Sequence, residues 1–134
     1  MPPDFLPPDA GSPEDWLGHA RSDLALAEIS PPPGVFFEAL CFHAQQAAEK
    51  AIKAVLIREG MRVPKIHGIA ELLGLVQTTV PAPIREAGSL TLYAALTRYP
   101  GDQARIGREE WRRSTRLAGA VVEWAEGVIS GDPA

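Results

Sequence analysis

Between Gly34 and Gly60 lies a stretch of about 25 residues, "VFFEALCFHAQQAAEKAIKAVLIRE", with neither proline nor glycine in it. At roughly 100° per residue, Leu40, Ala44, Ala47, Ala48, Ala51, Ala54 and Val55 fall on one side, and Phe42, Ile52 and Leu56 widen that arc. This predicts a helix from about Val35 to Glu59, ended by Gly60 in the left-handed C-terminal conformation. A helix of that length with so wide an apolar arc needs other elements to cover it, and its alanines let them approach closely. That requirement points to helices packed on helices.

The remaining elements agree. In "SPED", Ser12 can cap a helix, Pro13 occupies the first helical position and Asp15 completes a capping-box spacing. The helix that follows places Leu17, Ala20, Leu24 and Ala27 on one face and stops at "SPPPG". "IAELLGLVQTTV" predicts a shorter helix with Ile69, Leu72, Leu73 and Val76 inward, and Pro81 and Pro83 end it. "IREAGSLTLYAALTR" predicts another, with Leu90, Tyr93, Ala94 and Thr97 on one face, closed by Pro100. The last runs from about Arg108 to Ile129, with Glu109 and Glu110 in its first turn and Leu117, Val121, Trp124 and Val128 as its core stripe. No segment alternates with a β period. The expected fold is all-α, an up-and-down four-helix bundle with one additional short helix over residues 12–130, preceded by a flexible proline-rich arm over residues 1–11.

Charge and residue chemistry narrow the function. With 134 residues, 46% apolar and 22% charged, the chain has the composition of one globular domain, and no apolar run reaches the ~20 residues that cross a bilayer. "MPPDFLPPDAGSPEDW" has no basic n-region and no apolar segment, so it does not read as a secretory signal and a cytoplasmic location is expected. The preference for Arg over Lys with many Ala, Gly and Pro suggests a GC-rich bacterial genome. A net charge of −4 argues against indiscriminate nucleic-acid binding. The charge is uneven, however: residues 1–40 are acidic, whereas Arg98, Arg105, Arg108, Arg112, Arg113 and Arg116 face only Asp102, Glu109 and Glu110. An anion-binding surface and a solvated helix face are both open for that run.

Three groups of residues are candidates for chemistry. His43, Gln46, Lys50 and Lys53 form a polar stripe on the long helix, with Gln45 and Glu49 at its border, suited either to a ligand groove or dimer interface or to simple exposure. In "LYAALTRYPGD", Tyr93, Arg98, Tyr99 and Asp102 combine stacking rings, a guanidinium fork and a turn beside Pro100-Gly101. Such a corner suits a phosphate, and it equally suits capping of the preceding helix. His19, His43 and His67 lack any metal-ligand spacing, and no Gly-rich phosphate loop is present, so neither a metal nor a cofactor is expected. Cys41, the only cysteine, excludes an internal disulfide and reads as a small buried hydrophobe.

The long helix, then "KIHGIAELL", then "LTLYAALTRYPGD" and a final Ala- and Val-rich helix together resemble the HEPN domain, a family named for its occurrence in higher eukaryotes and prokaryotes and its proposed nucleotide binding. The resemblance implies a bundle of four to five helices, usually homodimeric, often encoded beside a minimal nucleotidyltransferase as a toxin–antitoxin-like pair. On it, Arg98, Tyr99, Tyr93, Asp102, His43, Gln46, Lys50 and His67 are candidate nucleotide-binding residues. Many members are metal-independent RNases with an Arg-x4–6-His motif at the start of a late helix. Here no histidine follows Arg98 or Arg105. Arg62 and His67 have the spacing but fall between the second and third helices. The expected function is therefore a nucleotide-binding or partner-binding module without catalytic residues. The alternative is an RNase in which His43 or His67 acts as general base while Arg98 or Arg62 steadies the phosphorane.

Overall fold

The computed structural model describes residues 4–96 and 105–131. Helix α1, Pro13–Glu28, starts where the capping spacing places it: the Ser12 hydroxyl accepts from the Asp15 N–H at 3.0 Å, and the Asp15 carboxylate accepts from the Ser12 N–H at 2.9 Å. The Ser12 backbone bond, then the hydroxyl bond, holds the Asp15 carboxyl below its ordinary value. Helix α2, Phe37–Arg58, is the centre of the molecule. Ala44, Ala47, Ala48, Ala51 and Ala54 are all fully buried along it, so α1 and the last helix pack close to its backbone. Gly60, at φ +90°, ends it in the left-handed conformation.

Helix α3, Ile69–Leu75, is shorter than its sequence predicts. The Glu59 carboxylate accepts from the N–H groups of Gln77 and Thr78 and from the Thr78 hydroxyl, at 2.9, 2.8 and 2.7 Å, and this draws the chain off the helical path. Partial burial pushes the Glu59 pKa upward, but those bonds outweigh it and keep the group below its usual value. The fourth helix is not continuous. It comprises α4, Ala82–Arg85, a 3₁₀ segment, Glu86–Thr91, and α5, Leu92–Leu96. Helix α6, Arg108–Ser130, closes the bundle.

Side-chain pairs give the directions. Trp16 lies by Lys53, and Asp23 by His43 and Lys50, so α1 and α2 are antiparallel. The Trp111 indole donates to Ala27 O at 2.7 Å, whereas Arg21 pairs with Glu126, so α6 is antiparallel to α1. Tyr93 bonds to Glu110, and Ile84 shares a groove with Trp124 and Gly127, so the broken α4–α5 arm descends along α6. The expected up-and-down all-α bundle is the fold, with α3 as its additional helix. No strand occurs among the described residues, and a single bridge pairs Phe5 with Pro64.

That bridge joins residues 4–6 to the segment after α2. The Leu6 N–H donates to Val63 O and the Lys65 N–H to Asp4 O, both at 2.8 Å. Arg62 donates to Leu6 O at 2.7 Å, and its guanidinium lies 5.9 Å from the Phe5 ring centroid. Prolines at 7 and 8 remove helical options, but the extended backbone they favour can pair with another extended segment. The core face of α6 also differs from the expected stripe. Trp111, Ser114, Ala118, Val121, Val122 and Ala125 are buried, while Leu117, Trp124 and Val128 pack at its margin.

Candidate functional site

The polar stripe of α2 divides into two networks. Asp23, on α1, holds the His43 Nδ1 at 3.0 Å and the Lys50 Nζ at 2.6 Å, all three side chains being part-buried. One turn further in, Gln46 donates to Gln45, and Gln45 donates to Glu49, each at 2.9 Å. Glu49 Oε2 also meets the Lys53 Nζ and the His67 Nδ1, each at 3.0 Å. Spacing puts Lys53 on the polar stripe, yet its side chain is 4% exposed and that of Glu49 6%. Gln45, Glu49 and Lys53 stand at i, i+4 and i+8 inside the alanine arc, with the Trp16 ring 6.0 Å from the Lys53 Nζ. A buried carboxylate and ammonium survive there because every strong acceptor site is met by a donor.

The imidazole of His67 is the exception in exposure. Its side chain is 72% accessible, and with Nδ1 turned to Glu49 its Nε2 side faces outward. Arg62, the residue that would complete the Arg-x4–6-His spacing, bonds to Leu6 O instead and stacks toward Phe5. His67 and Arg62 thus serve different partners.

Of the aromatic corner, Arg98, Tyr99 and Asp102 lie outside the described residues. Tyr93 is described and is not a stacking platform. It is buried, and its hydroxyl donates to Glu110 Oε2 at 2.7 Å. Burial, with the Glu110 carboxylate beside it, pushes the Tyr93 phenol up to about 12. Burial likewise pushes the neighbouring Cys41 thiol up to about 11, with Glu110 and Glu38 adding to it, so Cys41 is an unreactive core group as its sequence position suggests.

The densest run of arginines among the described residues lies at the start of α6 and just before it. Arg105, Arg108, Arg112, Arg113 and Arg116 are all exposed. Arg108, Arg112 and Arg116 recur every fourth residue and so share one face. The Arg105 guanidinium carbon lies over the Phe36 ring, 3.7 Å from its centroid, and the Arg108 guanidinium sits 5.6 Å from Phe37 and 6.0 Å from Trp111. Glu38 ties this shelf to the bundle by accepting from the Ile106 N–H at 2.9 Å, with Arg105 4.0 Å from its other oxygen. Arg112, Arg113 and Arg116 form no ion pair among the described residues. Sequence reasoning located the charge run but not the aromatic shelf, two of whose members, Phe36 and Phe37, lie about 70 residues away. It also missed Asp23, whose only sequence signal is an acid on the polar side of α1.

Among the described residues no group of three or more His, Cys, Asp or Glu side chains is placed to hold a metal ion, and no helix is long and apolar enough to cross a membrane.

The fold agrees with comparisons to known proteins. No curated protein matches the chain. The crystal structure of TT1696 from Thermus thermophilus superposes with a TM-score of 0.76 at 32% identity, over 87% of this chain and 97% of that one. That of ST0689, described as an archaeal HEPN homologue, does so with a TM-score of 0.69 at 29% identity, over 89% and 98%. The family profile of the HEPN domain matches residues 13–128, which takes in all six helices but for the last two residues of α6, and the chain belongs to the HEPN domain family.

Proposed function

We propose that this HEPN domain is a non-catalytic module that binds nucleotide or RNA phosphates through α6, and that it works as a homodimer with a minimal nucleotidyltransferase in a two-component, toxin–antitoxin-like system of the bacterial cytoplasm. The observation that carries the ligand reading is the run of exposed arginines from Arg105 along α6, the first two of which, Arg105 and Arg108, lie over Phe36, Phe37 and Trp111. A guanidinium lying on an aromatic ring is held in place by its face, so its N–H edges stay available for a bidentate phosphate contact. A chain of net charge −4 that keeps five arginines on one exposed stretch supports a local polyanion site over general basicity. Arg98, in the same charge run, is proposed to join them. His43, Gln46 and Lys50 are proposed to act from within their network, by shaping α2, and not by direct phosphate contact.

The test is a titration of a fluorescent single-stranded RNA at several salt concentrations. Each phosphate neutralised on a single strand contributes a slope of roughly 0.7 in log K against log salt, so several arginines in contact give a slope of at least about 2. A salt-independent affinity would remove the phosphate reading. Support for the homodimer comes from an apolar groove of about 700 Å³ lined by Pro81, Pro83, Ile84, Trp124 and Val128. Light scattering that returns the 14.4 kDa monomer mass at micromolar concentration would contradict it.

One observation favours a second reading, the metal-independent RNase. The Nδ1 of His67 is turned to a carboxylate, which fixes the tautomer with Nε2 free to accept a proton. The separate engagement of Arg62 weighs against it. RNA cleavage in the presence of a chelator, lost in His67→Gln, would establish it.

A further inference from the structure

The groove of about 700 Å³ between α4 and α6 runs along α6, where its lining extends from Ala120 to Gly131, a rise of roughly 16 Å. Pro81, Pro83 and Ile84 form the other wall. Both prolines are exposed and have no N–H, so a partner that dries this wall strands no backbone donor at either position. On the facing wall, Gly127 stands inside α6, where glycine is the poorest residue after proline. A Cβ there would meet nothing of the rest of the chain within 4 Å, so the chain's own packing does not call for a glycine. The space it leaves admits the close approach of another molecule. Trp124 is part-buried against the core and lines the groove, the placement of an interface anchor.

Charge identifies the occupant. Glu123, on the α6 wall, is exposed and forms no ion pair among the described residues. Arg85, next to Ile84 on α4, is exposed and has no ion pair there either. An acid on one wall and a guanidinium beside the other make a surface that complements itself. A twofold axis running along the groove reverses the order of the walls and sets each Glu123 opposite the partner's Arg85. An axis across the groove would instead set Arg85 against Arg85 and Glu123 against Glu123, which repel.

We infer that a second copy of the chain occupies the groove, related by a twofold axis along it, with Glu123 of each copy paired to Arg85 of the other and Trp124 of both copies buried between the pairs. The inference rests on the homodimer reading above and specifies its face and its orientation. Rotation about that axis leaves the two α6 helices parallel, so both arginine runs lie at the same end of the dimer.

Sedimentation equilibrium on the full chain measures the dimer dissociation constant of the wild type, Arg85→Glu, Glu123→Arg, the double variant Arg85→Glu/Glu123→Arg, and Gly127→Leu. Each single reversal sets like charges opposite each other at two places in the dimer and should raise the constant about tenfold or more, whereas the double reversal should return it to within about threefold of the wild type. Gly127→Leu fills the space in the groove and should give a monomer whose helix content, by circular dichroism, is unchanged. A wild-type dimer whose constant is unaltered in both single reversals and in Gly127→Leu would put the interface on another face, overturning the inference and leaving the homodimer reading intact. A wild-type monomer would remove both. A double reversal no better than the singles would overturn the pairing of Glu123 with Arg85.

Discussion

Helices α2 and α6 both carry charged residues at four-residue spacing, and the fold uses the two rows in opposite ways. On α2, Gln45, Glu49 and Lys53 face inward and answer one another, with His67 closing over the carboxylate from the following loop. On α6, Arg108, Arg112 and Arg116 face outward, and the acids near them are few or already occupied, Glu110 by Tyr93 and Glu38 by Ile106. Spacing places charges on a common face; what decides their role is which neighbours reach that face. The first row is internally satisfied and contributes to the architecture. The second is proposed to serve something outside the chain.

The sharpest way to break this contrast is at Glu49. Replacing it by alanine leaves Lys53 charged and buried without its partner, and a loss of roughly 3–5 kcal/mol is expected in chemical denaturation. Pairing Glu49→Leu with Lys53→Met should recover much of it, since apolar groups of similar volume can replace a buried pair. A loss under about 1 kcal/mol for Glu49→Ala, the level of an exposed pair, would mean that the α2 row is a surface feature like that of α6.

Deleting residues 1–11 should have the next largest effect. It removes two backbone hydrogen bonds, the acceptor of Arg62 and the Phe5 ring, and roughly 1–3 kcal/mol of stability should go with them. An unchanged melting temperature would restore the picture of a free arm.

A smaller effect is expected at high pH. The folded state holds the Cys41 and Tyr93 protons to about 11 and about 12, against ordinary values of 9.0 and 10.0, so between those values it binds more protons than the unfolded chain. Stability should therefore be unaffected by these groups below about pH 9 and fall progressively from there to pH 12. Tyr93→Phe should flatten part of that fall while losing the bond to Glu110. An identical alkaline slope in wild type and Tyr93→Phe would contradict the assignment.

Much of this architecture is legible in the sequence where the determining interactions are local. The capping box of Ser12 and Asp15, the proline at position 13 and the left-handed Gly60 all act within a few residues, and each is found where local rules place it. The breaks and the burial of charge are not local. The fourth helix tightens into a 3₁₀ segment where it packs on α3, with Gly88 so close that a Cβ there would lie 3.4 Å from that of Ala70. Spacing cannot tell Lys53 from Lys50, because the burial of Lys53 depends on Trp16 from α1. The core face of α6 passes through Ser114 and small alanines, so the larger Leu117, Trp124 and Val128 draw the expected stripe to one side of it. Of the candidate site, the arginine run is visible as charge, but the shelf of Phe36, Phe37 and Trp111 beneath it exists only in the folded chain.

The claim that the outward row binds and the inward row builds is tested most directly on one variant with two readouts. Arg112→Ala/Arg116→Ala is measured for single-stranded RNA affinity and for thermal stability beside the wild type. Exposed side chains away from caps and cores shift stability by only about 0.5 kcal/mol each, so the melt should move little. The RNA affinity should drop several-fold, and the salt slope should fall by about 1.4, or roughly 0.7 for each phosphate contact removed. A variant that keeps the wild-type affinity and salt slope would show that the α6 row is a solvated face and not a phosphate surface.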